Sequence, residues 1–126
     1  MAIDIASLGT GEPVHIGHDP NDPLLANDSF KGQFQIAEDF EDDGTPINPA
    51  DFTADGGWVG AITIEGTPFA ASVSGFDAAG AYTLDIAESV SVVGTHRYNI
   101  VATNAVLSAQ RTIQKGTIVI SPRFAL

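Results

Sequence analysis

The chain has 126 residues, 44% of them apolar, and no cysteine; that length suits one domain with a real core, and the missing cysteines exclude disulfides and thiolate chemistry and point to synthesis in a reducing cytosol. The net charge is −11, with only five Lys and Arg, which argues against nucleic acid, because phosphate binding needs cations to displace counterions. No run approaches the ~18 apolar residues of a membrane span, and Met1–Ile5 lacks the basic and apolar regions of a secretory signal.

Residues 1–28 differ from the rest. They hold Gly9, Gly11, Gly17, Pro13, Pro20 and Pro23, with five acids and no basic residue. Only Val14-His15-Ile16 reads as a short extended piece, and Asp19-Pro20 and Asp22-Pro23 favour turns, since proline keeps its predecessor out of the α region. The segment is expected to be an extended acidic arm outside the sandwich core. It is either disordered alone or ordered by lying on a partner, with Ile3, Ile5, Leu24 and Leu25 as its scattered apolar anchors.

From Ser29 the pattern becomes period 2, the signature of half-buried strands. Phe30, Gly32, Phe34 and Ile36 alternate with Lys31, Gln33 and Gln35. Glu38 to Gly44 reads as an acidic turn and Thr45 to Pro49 as extended or irregular. After the Asp55-Gly56-Gly57 turn, Trp58, Gly60, Ile62 and Ile64 mark a strand, and Phe69, Ala71 and Val73 mark the next. Ala78-Ala79-Gly80 turns into Ala81–Ala87, with Tyr82, Leu84 and Ile86 on one face. Glu88–Thr95 is a loop or short edge. Thr95–Thr103 and Gln110–Ile120 form a hairpin around Asn104–Ala109, with a bulge at Gly116, because Ile113 is out of phase with Ile118 and Ile120. The expectation is an all-β antiparallel sandwich of about seven strands over 29–126, with Trp58, Ile62, Tyr82, Leu84, Tyr98, Ile100 and Ile118 mostly buried.

Charge is polarised along the chain. All sixteen acids lie between Asp4 and Glu88, whereas Arg97, Arg111, Lys115 and Arg123 follow them. Two readings stand: a solvated acidic surface that maintains solubility, or a polar subunit whose acidic part meets one neighbour and whose basic end meets another. Val92-Val93 and Val106-Leu107 are loop apolar residues, either core edge or interface anchors.

Chemistry-bearing clusters are few. Asp39, Glu41, Asp43 and Gly44 match positions 1, 3, 5 and 6 of a calcium loop, but Ala50 stands where the bidentate acid belongs and Asp51 comes one residue late, so an acidic turn is the alternative to a calcium site. His15 and His18, followed by Asp19 and Asp22, could hold zinc, or be two solvated imidazoles. Ser89 and Ser91 near His96 lack a nucleophile elbow. Convergent carboxylates for glycoside hydrolysis are a three-dimensional property that spacing leaves open. Trp58, Phe69, Phe76, Tyr82 and Tyr98 form a core or a sugar-stacking platform; their phases fit the core. No catalytic residue, metal or cofactor is assigned.

One further signal is an order of features. Phe30-Lys31-Gly32 opens it; Asp43-Gly44-Thr45-Pro46-Ile47-Asn48-Pro49-Ala50-Asp51-Phe52 follows. Then come Gly80-x-Tyr82-x-Leu84-x-Ile86, Arg97-Tyr98-x-Ile100 and Lys115-Gly116-Thr117-Ile118-Val119-Ile120. Over about residues 29–121 this resembles the immunoglobulin-like N-terminal domain of phage baseplate upper proteins and related tail and fibre modules. The resemblance implies an antiparallel β-sandwich without enzyme activity that attaches parts of a virion. In those proteins a helical or fibrous shaft follows the domain; here Leu126 is the last residue and an acidic segment stands in front. The expectation is therefore a non-enzymatic virion protein, a capsid decoration or a tail or baseplate adaptor. It would be made in the host cytoplasm and form homo-oligomers within the particle, with other capsid or tail subunits as partners and neither nucleic acid nor membrane among them. A carbohydrate- or host-surface-binding module is the alternative.

Overall fold

The computed structural model describes residues 13–19, 21, 23–26, 28–66, 70–87 and 93–122. Among these the chain forms nine strands: β1 Leu24–Leu25, β2 Phe30–Gln35, β3 Ala37–Phe40, β4 Pro46–Pro49, β5 Val59–Ile64, β6 Ala71–Ser74, β7 Ala81–Ile86, β8 Gly94–Asn104 and β9 Ala109–Ser121. One sheet has the order β1-β9-β8-β5, a second β2-β7-β6, and β3 and β4 pair alone. The strand pairings are antiparallel except that of β1 with β9, and the isolated bridge between Ile16 and Ile118 is parallel as well.

The two larger sheets make an all-β sandwich. The orders β9-β8-β5 and β2-β7-β6 are those of the G-F-C and B-E-D strands in immunoglobulin domains, with the β3–β4 hairpin inserted in the chain between β2 and β5. The inward faces follow the alternation. Tyr82, Leu84 and Ile86 of β7 meet Tyr98, Ile100 and Ala102 of β8 and Ile118 and Ile120 of β9 in one buried cluster. Trp58, just before β5, is buried with them, while Ile62 is only partly buried because β5 is an edge strand. Phe52, Phe76 and Tyr82 fill the centre, with Phe52 edge-on to Phe76 at 5.0 Å and Phe76 stacked on Tyr82 at 5.1 Å between ring centroids. In a chain with no cysteine, this aromatic packing holds the two sheets together by burial.

Three expectations are corrected. First, the described residues before Ser29 do not lie outside the core. The Val14 and Ile16 amides donate to the carbonyls of Lys115 and Thr117, and the Val119 amide donates back to Ile16. Leu24 and Leu25 then pair with Ile120 and Ser121. Ile16, Leu24 and Ala26 are buried in the core cluster. The described residues between 13 and 26 thus form an extended strap that completes the edge of β9. The physical reason is the open hydrogen-bonding edge of β9, which needs partners once its apolar face is buried. Second, the bulge lies at Ile113. Ile100 faces Gln114 while Val101 faces Thr112, so Ile113 is the extra residue. Gly116 stays in register with Tyr98; it is glycine because a Cβ there would stand 1.8 Å from the Val14 carbonyl oxygen of the strap. Third, Glu38–Phe40, read as part of the acidic turn, belongs to the strand Ala37–Phe40, which pairs with Pro46–Pro49.

Candidate functional site

A buried polar chain runs through the sandwich to the strap. The Tyr82 hydroxyl donates to the Gln114 carboxamide oxygen; the Gln114 amide donates to the Tyr98 hydroxyl at 2.8 Å, which donates to the Val14 carbonyl at 2.8 Å. The Ile113 bulge is what turns Gln114 inward, opposite Ile100. Burial pushes the Tyr82 phenol well above its usual range, and the neighbouring Tyr98 adds to this. Tyr98 is raised by burial and partly lowered by Gln114. Both phenols therefore stay protonated and serve as donors.

The two histidines are clipped to the same sheet. His15 Nδ1 lies 2.7 Å and His18 Nε2 3.0 Å from the Thr117 hydroxyl, with the rings 4.8 Å apart. One hydroxyl offers one proton and two lone pairs, enough for both imidazoles. Among the described residues no three His, Cys, Asp or Glu side chains converge as a metal site requires. The arrangement fastens the strap on its outer side.

The outer face of β9-β8-β5 carries a groove of about 580 Å3. Register brings its side chains together: Thr63 beside Asn99 beside Lys115, and Arg97 beside Thr117. His15 closes one side, and Arg97 is paired with Glu65 across the neighbouring strand. Of the predicted basic residues the structure thus unites Arg97 and Lys115. Arg111 is half-buried, in register with buried Ala102, and does not line the groove. Arg123 lies outside the described residues.

The predicted apolar anchors separate into three groups. Leu24 is buried and Leu25 half-buried, so both serve the fold and neither is a free anchor. Val93, Val106 and Leu107 are exposed by 51%, 73% and 45%, and none belongs to the core cluster. Ile3, Ile5 and Val92 lie outside the described residues. Sequence reasoning missed Val59, exposed by 69%. Its signal was available: it is the odd, outward position in the Trp58–Ile64 alternation. Val59 and Val106 lie at the same end of the sandwich, because Val106 packs over Gly56 in the short 3-10 turn Ala54–Gly56 that leads into β5. Buried Asn104 joins this turn to the β8–β9 turn. Its amide donates to the Asp55 carbonyl at 3.2 Å and its side-chain oxygen accepts the Leu107 amide at 3.0 Å.

The acidic hairpin is closed by its own bonds. The Glu41 amide donates to the Thr45 carbonyl, the Gly44 amide to Glu41, and the Thr45 amide to the Asp43 carboxylate at 2.9 Å. The Thr45 side-chain and backbone hydrogen bonds hold the Asp43 carboxyl below its usual range. The Asp39 carboxylate is likewise used on a local amide, that of Phe40, at 2.8 Å. Trp58, Tyr82 and Tyr98 are buried and Phe76 is partly buried, so these four form core and not a stacking platform; Phe69, Ser89 and Ser91 lie outside the described residues. Among the described residues no helix is long and apolar enough to cross a membrane. No protein-family model, curated protein or solved structure matches the chain.

Proposed function

We propose that this chain is a non-enzymatic structural protein of a bacteriophage virion. It is a β-sandwich module that docks on neighbouring particle subunits as a capsid decoration or as a tail or baseplate adaptor. The order of sequence features supports the phage context. One observation supports docking: Val59, Val106 and Leu107 stand exposed at one end of a sandwich whose own core is already filled. Burying an exposed Val or Leu side chain fully stabilises a contact by about 1.5–3 kcal/mol, so three of them can anchor a subunit without any catalytic group. The Asn104 bonds fix the turn that presents them, which lowers the entropy lost on docking.

The test is the double variant Val106→Asp/Leu107→Asp, supplied during particle assembly. Both side chains are exposed, so the variant should fold and melt like the wild type while failing to enter particles. Normal incorporation of the folded variant would contradict docking through this end.

A further inference from the structure

We propose that the groove on the outer face of β9-β8-β5 receives the acidic β3–β4 hairpin of a second copy of this chain. The inference deepens the assembly reading by naming a partner. Docking through the Val59–Val106 end does not use this groove, so either contact can fail alone.

The argument starts from charge. In a chain of net charge −11, the groove gathers two cations, Arg97 and Lys115, against one acid, Glu65. Among the described residues Lys31 has Asp85 at 3.7 Å and Arg97 has Glu65, but no carboxylate ion-pairs with Lys115. The Arg97–Glu65 pair is largely exposed, at 76% and 61% of the side chains. Such a pair is worth little in water, so Arg97 can exchange one carboxylate for several at small cost. Thr63 and Asn99 line the groove beside these cations with hydroxyl and amide groups suited to carboxylate oxygens.

The hairpin is the complementary surface. Glu38, Asp39, Glu41, Asp42 and Asp43 are all exposed on it. It also shows Phe40 and Ile47, exposed by 44% and 38%. Phe40 is in register with Pro46, so an apolar face accompanies the carboxylates. The Asp43 and Asp39 bonds to local amides set the tip before docking, which reduces the ordering cost. Glu41 and Asp42 make no side-chain bond among the described residues and are free to engage cations. The hairpin is bonded to the sandwich at its base, where Ile36 takes the Ala50 amide and donates to Gly80. No residue belongs to both hairpin and groove. Exchanged reciprocally between two copies, the contact closes a two-fold dimer; passed head to tail, with each copy offering its hairpin to one neighbour and its groove to another, it gives a ring or a filament. Opposite charges on the two surfaces would steer encounter and fix orientation.

Sedimentation velocity on the full chain tests this. Wild type should self-associate at roughly 0.01 M salt, where the screening length is ~30 Å, and be monomeric at about 1 M, where it is ~3 Å. The groove variant Arg97→Glu/Lys115→Glu and the hairpin variant Glu41→Lys/Asp42→Lys should each be monomeric at low salt, with wild-type circular dichroism. An equimolar mixture of the two should associate again, because the intact hairpin of one variant meets the intact groove of the other. A wild type that is monomeric at low salt, association that survives either reversal, or a mixture that stays monomeric would each overturn the proposal. So would a monomeric wild type that binds soluble polyuronate through Arg97 and Lys115, since the groove would then serve an anionic glycan.

Discussion

Gln114 has no charge, yet it bonds to both buried tyrosines, one from each facing sheet. Tyr82→Phe would leave the Gln114 carboxamide oxygen buried without a donor, at a cost of about 1–3 kcal/mol. The same substitution should change the response to alkali. In the unfolded chain a tyrosine titrates near pH ~10. In the fold both phenols are raised, Tyr82 most strongly. Above that pH the unfolded state releases protons that the folded state keeps. Stability is therefore fully present below about pH 10 and falls as pH rises toward the folded values. Urea midpoints measured from about pH 9 upward should decline in wild type, and the decline should be shallower in Tyr82→Phe. Equal slopes would show that the phenol does not carry the pH dependence. At Trp58 the issue is volume: Trp58→Ala removes a buried ring and should cost about 3–5 kcal/mol by denaturant titration.

The strap is the element on which the fold turns. Deleting residues 2–25 removes Ile16 and Leu24 from the core and leaves the Lys115 and Thr117 carbonyls and the Val119 amide without their strap partners. The melting temperature should drop by many degrees; an unchanged one would mean that β9 does not need the strap. Gly116→Ala is the finer probe. Its Cβ would collide with the Val14 backbone, which cannot give way as a flexible side chain would. Amide exchange at Val14 and Ile16 should speed up, whereas exchange in β7, on the other sheet, should not.

The strap also shows what could be read from the residues alone. Long antiparallel runs were legible: Tyr82, Leu84 and Ile86 announce β7, and Tyr98, Ile100 and Ala102 announce β8. Each run is long enough for alternation to register. The strap pairs over only Val14–Ile16 and Leu24–Ala26, split by Gly17 and prolines, with partners about a hundred positions away; two or three residues carry no period. The β3–β4 hairpin was missed because it has no buried face: its acids are solvated on both sides, and Pro46 and Pro49 suit a ladder whose two strands are both edges. Ile113 betrayed a phase error, which was correct, but Gly116 took the blame because close approach of another backbone also calls for glycine. Arg97 and Lys115 were visible as late cations; their union in one groove depends on the β8–β9 register, which the bulge sets.

At the scale of the molecule, three surfaces have distinct characters: a polar groove with two cations, an acidic hairpin, and an apolar end formed by Val59, Val106 and Leu107. A sandwich with several dissimilar faces suits a subunit with several neighbours. The assembly account is tested most directly by the composition of particles purified from a culture that carries this gene. Quantitative mass spectrometry across a density gradient should find the chain in the fraction of DNA-filled particles, at a fixed ratio to the main structural subunit. A chain confined to the soluble fraction, or present in particles only at a trace and variable ratio, would contradict the account.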